Sequence, residues 1–203
     1  MIELSPSKKE EVAIAVPLIY SSGPPSFEYV FKNKQVDAQA FLRYAFVREG
    51  GEFSYQNHHS LYQNGKMVGI GSVFNAKQAS AFTVADGLNI FRFYGFKSFS
   101  TIKFGLKVEK LIKLPEGNEI AIAHLGIAPE LRGQGLGTKM IDLLKENANK
   151  TADSYWVLDV SEENPKAKAL YDRLGFKTTK KHISTLKNQF SYVANHFRME
   201  LKE

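Results

Sequence analysis

The chain has 203 residues, enough for one domain with its own core, and its 43% hydrophobic and 24% charged content is that of an ordinary soluble globular protein. It has no cysteine, which excludes disulfides, thiolate metal sites and a cysteine nucleophile. The net charge of +6 suits an anionic ligand, but the lysines are spread along the chain, so a solvated basic surface is expected rather than a nucleic-acid partner.

The opening residues Met1-Ile2-Glu3-Leu4-Ser5-Pro6 lack the basic-then-apolar pattern of a secretory leader. No stretch approaches the length of a membrane-spanning helix, so the cytoplasm is the default compartment and no membrane partner is expected. Ile2-Glu3-Leu4 is a short strand candidate. Ser7 with Glu10 has the spacing of a capping box, which would start a helix running toward Leu18. Ser21-Ser22-Gly23-Pro24-Pro25 is expected to break that helix. Asp37 to Val47 is helical by pattern, with Ala38, Phe41, Leu42 and Ala45 on one face and Gly50-Gly51 beyond its end. Leu61-Tyr62-Gln63 and Lys66 to Ile70 flank Asn64-Gly65, the signature of a two-residue hairpin turn.

Residues 76–115 are rich in aromatics, and a helix is expected from Leu106 to Leu114, closed by Pro115-Glu116-Gly117. A lid, a homodimer interface and extra core are the three readings of this region. Extra core plus part of a substrate wall is preferred. From residue 118 the chain alternates. Strand Glu119 to Ile127 leads into helix Gly135 to Asn147, and strand Tyr155 to Val160 into helix Pro165 to Leu174. Two further strand candidates cover Phe176 to Ile183 and His196 to Leu201. Such an order argues for a single α+β (α/β) domain over 1–203, a sheet with crossover helices.

The chemistry concentrates after the first strand of that alternation, where an apolar strand ends and the glycine-rich turn Arg132-Gly133-Gln134-Gly135-Leu136-Gly137-Thr138 opens an amphipathic helix. Unpaired amides at a helix start and the positive end of its dipole bind anions, and glycines let the backbone curl around phosphate oxygens. The spacing is not that of a dinucleotide loop, and Gly137-Thr138-Lys139 reverses the order of a nucleotide-triphosphate loop.

Arg132-Gly133-Gln134-Gly135-Leu136-Gly137 resembles the Arg/Gln-x-x-Gly-x-Gly/Ala signature of the GNAT acetyltransferase superfamily. The preceding Leu125-Gly126-Ile127-Ala128-Pro129-Glu130-Leu131 resembles that superfamily's usual strand ending. Asn164, the alanine-rich helix after it, Tyr171 and Leu174-Gly175-Phe176 resemble its second motif. The resemblance implies a central mixed, mostly antiparallel sheet of six to seven strands flanked by helices, with 76–115 as an insertion. It implies acetyl-coenzyme A as co-substrate, no metal, and a small-molecule or peptide amine as acceptor. Carried over, Leu125, Gly126 and Ile127 would lie along the pantetheine arm. Arg132 and Gly133 to Thr138 would hold the pyrophosphate, Asn164 would contact the cofactor, and Tyr171 would protonate the leaving thiolate. For the base, Glu119, His124 and Asp159 are the candidates, with water and no dedicated base as the alternative, since Ala121 and Ala123 fill the positions where the family usually has it. Strict alternation puts His124 on the face away from Glu119, Ala121, Ala123 and Leu125. A non-catalytic acyl-coenzyme A-binding module on the same fold is the second reading.

Overall fold

The computed structural model describes residues 1–202. Its centre is a sheet of seven strands: β1 (Ile2–Pro6), β2 (His59–Gln63), β3 (Lys66–Asn75), β4 (Glu119–Ile127), β5 (Tyr155–Ser161), β6 (Lys177–His182) and β7 (His196–Leu201). The order is β1-β2-β3-β4-β5-β7-β6, and every neighbouring pair is antiparallel except β4 and β5. The mixed, mostly antiparallel sheet expected from the sequence is therefore the sheet observed. The β2–β3 hairpin turns on Asn64 and Gly65, both with positive φ (52° and 77°), as a two-residue turn matched to strand twist requires.

Among the described residues, seven α-helices surround the sheet: α1 (Val12–Ser21), α2 (Pro24–Phe31), α3 (Ala38–Phe46), α4 (Ala76–Tyr94), α5 (Ser98–Leu111), α6 (Leu136–Asn147) and α7 (Pro165–Arg173). The expected Ser7–Glu10 capping box does not form. Ser7 is buried with its hydroxyl 2.8 Å from that of Ser60, so the partner across the sheet takes the group a cap would have used. A short 3-10 turn at Lys9–Glu11 starts the helical segment instead, with the Lys8 amide donating to the Glu11 carboxylate at 2.8 Å. The double proline does not simply end α1. It opens α2 at positions where a missing N–H costs nothing.

The aromatic region folds as a helical hairpin rather than the one short helix expected. Helix α4 starts from a true capping box, with the Asn75 side chain accepting from the Gln78 amide and the Gln78 side chain accepting from the Asn75 amide, both at 3.0 Å. Gly95, with φ 56°, ends it, and α5 begins at Ser98. Ile90, Tyr94, Phe93, Phe104 and Val108 pack into the cluster built by α1, α2 and α3 around Ile19, Phe41 and Phe46. Phe91, Phe96 and Phe99 stay exposed. A second cluster, with Met140, Ile141, Leu144, Trp156 and Met199 at its centre, packs α6 and α7 on the sheet.

Candidate active site

Between β4 and α6 the chain makes a 3-10 turn at Pro129–Leu131 and then the glycine loop. Gly133 and Gly135 have φ of +79° and +81°, the left-handed region glycine tolerates without strain, and a Cβ on either would meet only open space. The bond from the Lys139 amide to the Gly135 carbonyl (3.1 Å) opens the helical ladder, so the amides of Gly135 to Thr138 lie ahead of it. Arg132 does not extend over this loop. Its Nε donates to the Ile127 carbonyl at 3.0 Å and an Nη lies 3.5 Å from the Ser21 hydroxyl, fastening the loop to β4 and α1. Gln134 folds back onto the Glu130 carbonyl at 3.4 Å. Leu136, the first residue of α6, is buried, and Gly137 allows α7 to approach, since a Cβ there would sit 3.0 Å from the Leu170 side chain. Gly126 is likewise a contact glycine, because a Cβ would come within 2.3 Å of the Leu18 carbonyl oxygen.

Strands β4 and β5 pair only through Glu119–Tyr155, Ile120–Trp156 and Ala121–Val157, then part. A cavity of about 820 Å³ fills the gap. Gly133, Gly135, Thr138, Leu125, Ile127, Asn164 and Tyr171 all line it. Asn164 caps α7 by accepting from the Ala167 amide at 3.2 Å, ahead of Pro165 at the first helical position. Tyr171 is buried, and burial pushes its phenol up to about 12, so it stays protonated throughout the physiological range.

Glu119 and Asp159 meet at one guanidinium. Arg198 of β7 donates to Glu119 Oε2 and to Asp159 Oδ2, both at 2.6 Å, and to the Lys113 carbonyl at 3.1 Å. All three side chains are largely buried. Burial raises the Asp159 carboxyl above its ordinary range, and the Arg198 charge opposes that rise.

His124 is where the strand departs from simple alternation. It has φ +54°, and the register with β3 shifts between Ile70 and Ser72. This is a bulge, which inserts one residue and reverses the parity of the residues after it. Ile120 and Ile122 before it and Leu125 and Ile127 after it all join the cluster under α6. His124 instead turns toward α2 and the loop after α3, stacking on Phe53 at 5.1 Å and lying 6.2 Å from Phe27. The expected placement opposite Ala121 and Ala123 is thereby corrected: all three residues line the cavity.

Two partners of His124 lie far from it in sequence and belong to neither motif. Glu52 Oε1 lies 3.4 Å from His124 Nε2, and His58 Nε2 lies 3.1 Å from His124 Nδ1. His58 is fully buried, its Nδ1 is 2.8 Å from the Ser54 carbonyl, and burial above all pushes it down to about 3. The Glu52 amide in turn donates to Asp86 of α4 at 2.9 Å. Burial and the nearby Glu52 charge push the Asp86 carboxyl up to about 7, and burial also raises Glu109 of α5. Glu52, Asp86 and Glu109 all line the same cavity, so the α4–α5 insertion forms part of its wall. The one local signal for Glu52 in the sequence is Gly50-Gly51 before it. Gly51 lets the loop approach α4, since a Cβ there would fall 2.3 Å from Asp86 Oδ1. Among the described residues no cluster of three or more His, Cys, Asp or Glu could hold a metal, and no helix is long and apolar enough to cross a membrane.

A model of the acetyltransferase (GNAT) family matches residues 19–176, which takes in the glycine loop, the splay and Tyr171. The chain belongs to this family. The GNAT fold is shared with an N-acetyltransferase of Staphylococcus aureus Mu50 at TM-score 0.70 and 15% identity, over 98% of this chain and 100% of that one. It is also shared with yncA of Salmonella typhimurium, solved with its cofactor acetyl-CoA, at TM-score 0.55 and 13% identity, over 100% of this chain and 94% of that one. A 58-residue stretch is 38% identical to the 5-NmdU N-acetyltransferase of Pseudomonas phage PaMx11, covering 29% of this chain and 39% of the phage protein. The residues present fit the co-substrate of the GNAT family. Amides free of the helical ladder and open glycines suit a pyrophosphate, and the unpaired strand edges of the splay suit the amide-bearing pantetheine arm.

Proposed function

We propose that the protein is an N-acetyltransferase that moves an acetyl group from acetyl-coenzyme A to a primary amine by direct attack, with both substrates bound together. The observation that carries the reading is one cavity joining the glycine-loop amides, the splay of β4 and β5 and the Tyr171 side chain. Acetyl-coenzyme A supplies an activated acyl carbon and a thiolate leaving group. The amides of Gly133 to Thr138 bind the pyrophosphate, and the exposed edges of Leu125 to Ile127 align the arm. Asn164 lies beside that arm, and the walls of β4, α2 and α7 keep water from the thioester.

An acceptor arriving as an ammonium ion loses one proton to a base, the freed nitrogen lone pair forms the new C–N bond, the C–S bond breaks with its electron pair on sulfur, and the nitrogen loses its second proton as the amide forms. Tyr171 then gives the sulfur its phenolic proton. In this reading Glu119 and Asp159 serve the seam between β4 and β5 through Arg198, since both already accept from that guanidinium. The acidic side chains of Glu52, Asp86 and Glu109 on the wall make the cavity suited to an acceptor that arrives as an ammonium ion.

Calorimetric titration with acetyl-coenzyme A, beside the Gly135→Glu variant, tests the reading. The introduced carboxylate repels the pyrophosphate and a side chain at φ +81° strains the loop, so the variant should lose the micromolar-range binding of the parent chain. A screen of primary amines, read as coenzyme A release, follows, with Tyr171→Phe expected to slow turnover by about a hundredfold. Absence of binding by the folded parent chain rules the transferase out. Binding without transfer to any amine leaves an acyl-coenzyme A-binding module.

A further inference from the structure

A hydrogen-bond chain runs from the Ser54 carbonyl through His58 to His124 on the cavity wall. A carbonyl oxygen can only accept, so His58 Nδ1, 2.8 Å from the Ser54 oxygen, carries that ring's proton. His58 is fully buried and held far below the ordinary histidine range, so it stays neutral and its Nε2 has a bare lone pair. That lone pair lies 3.1 Å from His124 Nδ1 and accepts a hydrogen bond from its N–H. The second ring is thus fixed in turn. Neutral His124 has its proton on Nδ1 and its lone pair on Nε2, and Glu52 Oε1 lies 3.4 Å from that Nε2.

We infer that His124 Nε2 is the general base that deprotonates the acceptor, and that His58 is a positioning residue holding it in the reactive tautomer. The inference rests on the transferase reading. The acceptor's ammonium proton passes to Nε2, giving an imidazolium stabilised by the Glu52 carboxylate. The nitrogen lone pair so freed attacks the thioester carbon, the C–S bond breaks with its electron pair on sulfur, which takes the Tyr171 phenolic proton, and the nitrogen's surplus proton restores the phenol as the amide forms. The bulge turns His124 off the α6 face onto the cavity wall it shares with Ala121 and Ala123, while Phe27 and Phe53 hold the ring from its sides. The titratable groups around it are Glu52 and His58 directly. Behind them stand Asp86 and Glu109 toward Glu52, and His59 toward His58.

Two measurements on the full chain test this. Long-range proton–nitrogen correlation spectra of the imidazole rings, recorded with coenzyme A present, should show neutral His124 protonated on Nδ1. In His58→Phe the proton should move to Nε2, toward Glu52. In His58→Gln, whose amide oxygen replaces the lost acceptor, it should stay on Nδ1. The second measurement uses the fastest amine from the screen. The parent chain accepts the ammonium form, so its kcat/KM should level off well below the amine's own pKa. His124→Gln should lose about a hundredfold or more at neutral pH and keep rising about tenfold per pH unit toward the amine pKa, because it must wait for free amine. His58→Phe should lose rate in the same direction and His58→Gln should recover it. A parent His124 protonated on Nε2, or a His124→Gln profile that overlays the parent's, overturns the assignment. Failure to bind acetyl-coenzyme A sinks the transferase instead, and the ring spectra still decide the tautomer.

Discussion

Arg198 binds two carboxylates from two different strands at 2.6 Å each, in surroundings largely closed to water. Buried charges of this kind contribute little net stability as a set, but removing one partner strands the others. Arg198→Met leaves Glu119 and Asp159 repelling each other and should cost about 3–5 kcal/mol in chemical denaturation. Adding Glu119→Gln and Asp159→Asn should recover most of that loss. A single variant as stable as the parent would show that the triad does not hold the seam. The same residues show what sequence pattern can deliver at this scale. Glu119 and Asp159 are visible as acids near the glycine loop, because strand position is legible. Their shared partner is not, because Arg198 lies 39 residues beyond Asp159 and 79 beyond Glu119 and meets them only through the β5–β7 pairing. The alternation argument misplaces His124 for a related reason. Side-chain parity follows from alternation, and a bulge that breaks alternation leaves no mark on composition.

Among elements, those with a strong local signal match their expectations closely. Strand β4 and the Asn64-Gly65 turn occupy the residues expected, and α6 and α7 start or end within one residue of theirs. The insertion is legible only as aromatic content. Helix α4 carries Val84, Leu88 and Phe91 on its exposed side, so no single apolar stripe marks it as a helix. What α4 does is equally nonlocal: Asp86 grips the loop that carries Glu52. A carboxyl moved from 3.8 to about 7 binds its proton more tightly in the fold than in the open chain. Between about pH 4 and pH 7 the unfolded state gives up that proton first, so stability falls as pH rises through this window and the full penalty stands above it. The penalty is at most about 4 kcal/mol. Asp86→Asn, which keeps an oxygen for the Glu52 amide, should be more stable than the parent at pH 7.5, with a flatter urea midpoint from pH 4 to 7. A parent midpoint that climbs steadily across that window would contradict the burial argument.

On the scale of the whole molecule, the sheet is two parts: β1-β2-β3-β4 on one side and β5-β7-β6 on the other. A co-substrate lying in the splay touches both, so its binding should add directly to global stability. At a hundred times its dissociation constant the linkage is worth about 2.7 kcal/mol. For a domain of this size that corresponds to a rise in Tm of roughly 5–10 °C. Differential scanning calorimetry with acetyl-coenzyme A should show it, and Gly135→Glu should remove it. An unchanged Tm at millimolar acetyl-coenzyme A would mean that the folded chain does not bind it.

The short seam at Glu119–Tyr155, Ile120–Trp156 and Ala121–Val157 also decides how the molecule yields under load. A sheet bends most easily where the fewest bonds cross it, and here that line runs along the cavity. The empty protein is thus compliant along one axis, like a book held by the last stitches of its spine. A rod-shaped ligand laid in the fold acts as a splint, so occupancy of the site can be read as stiffness.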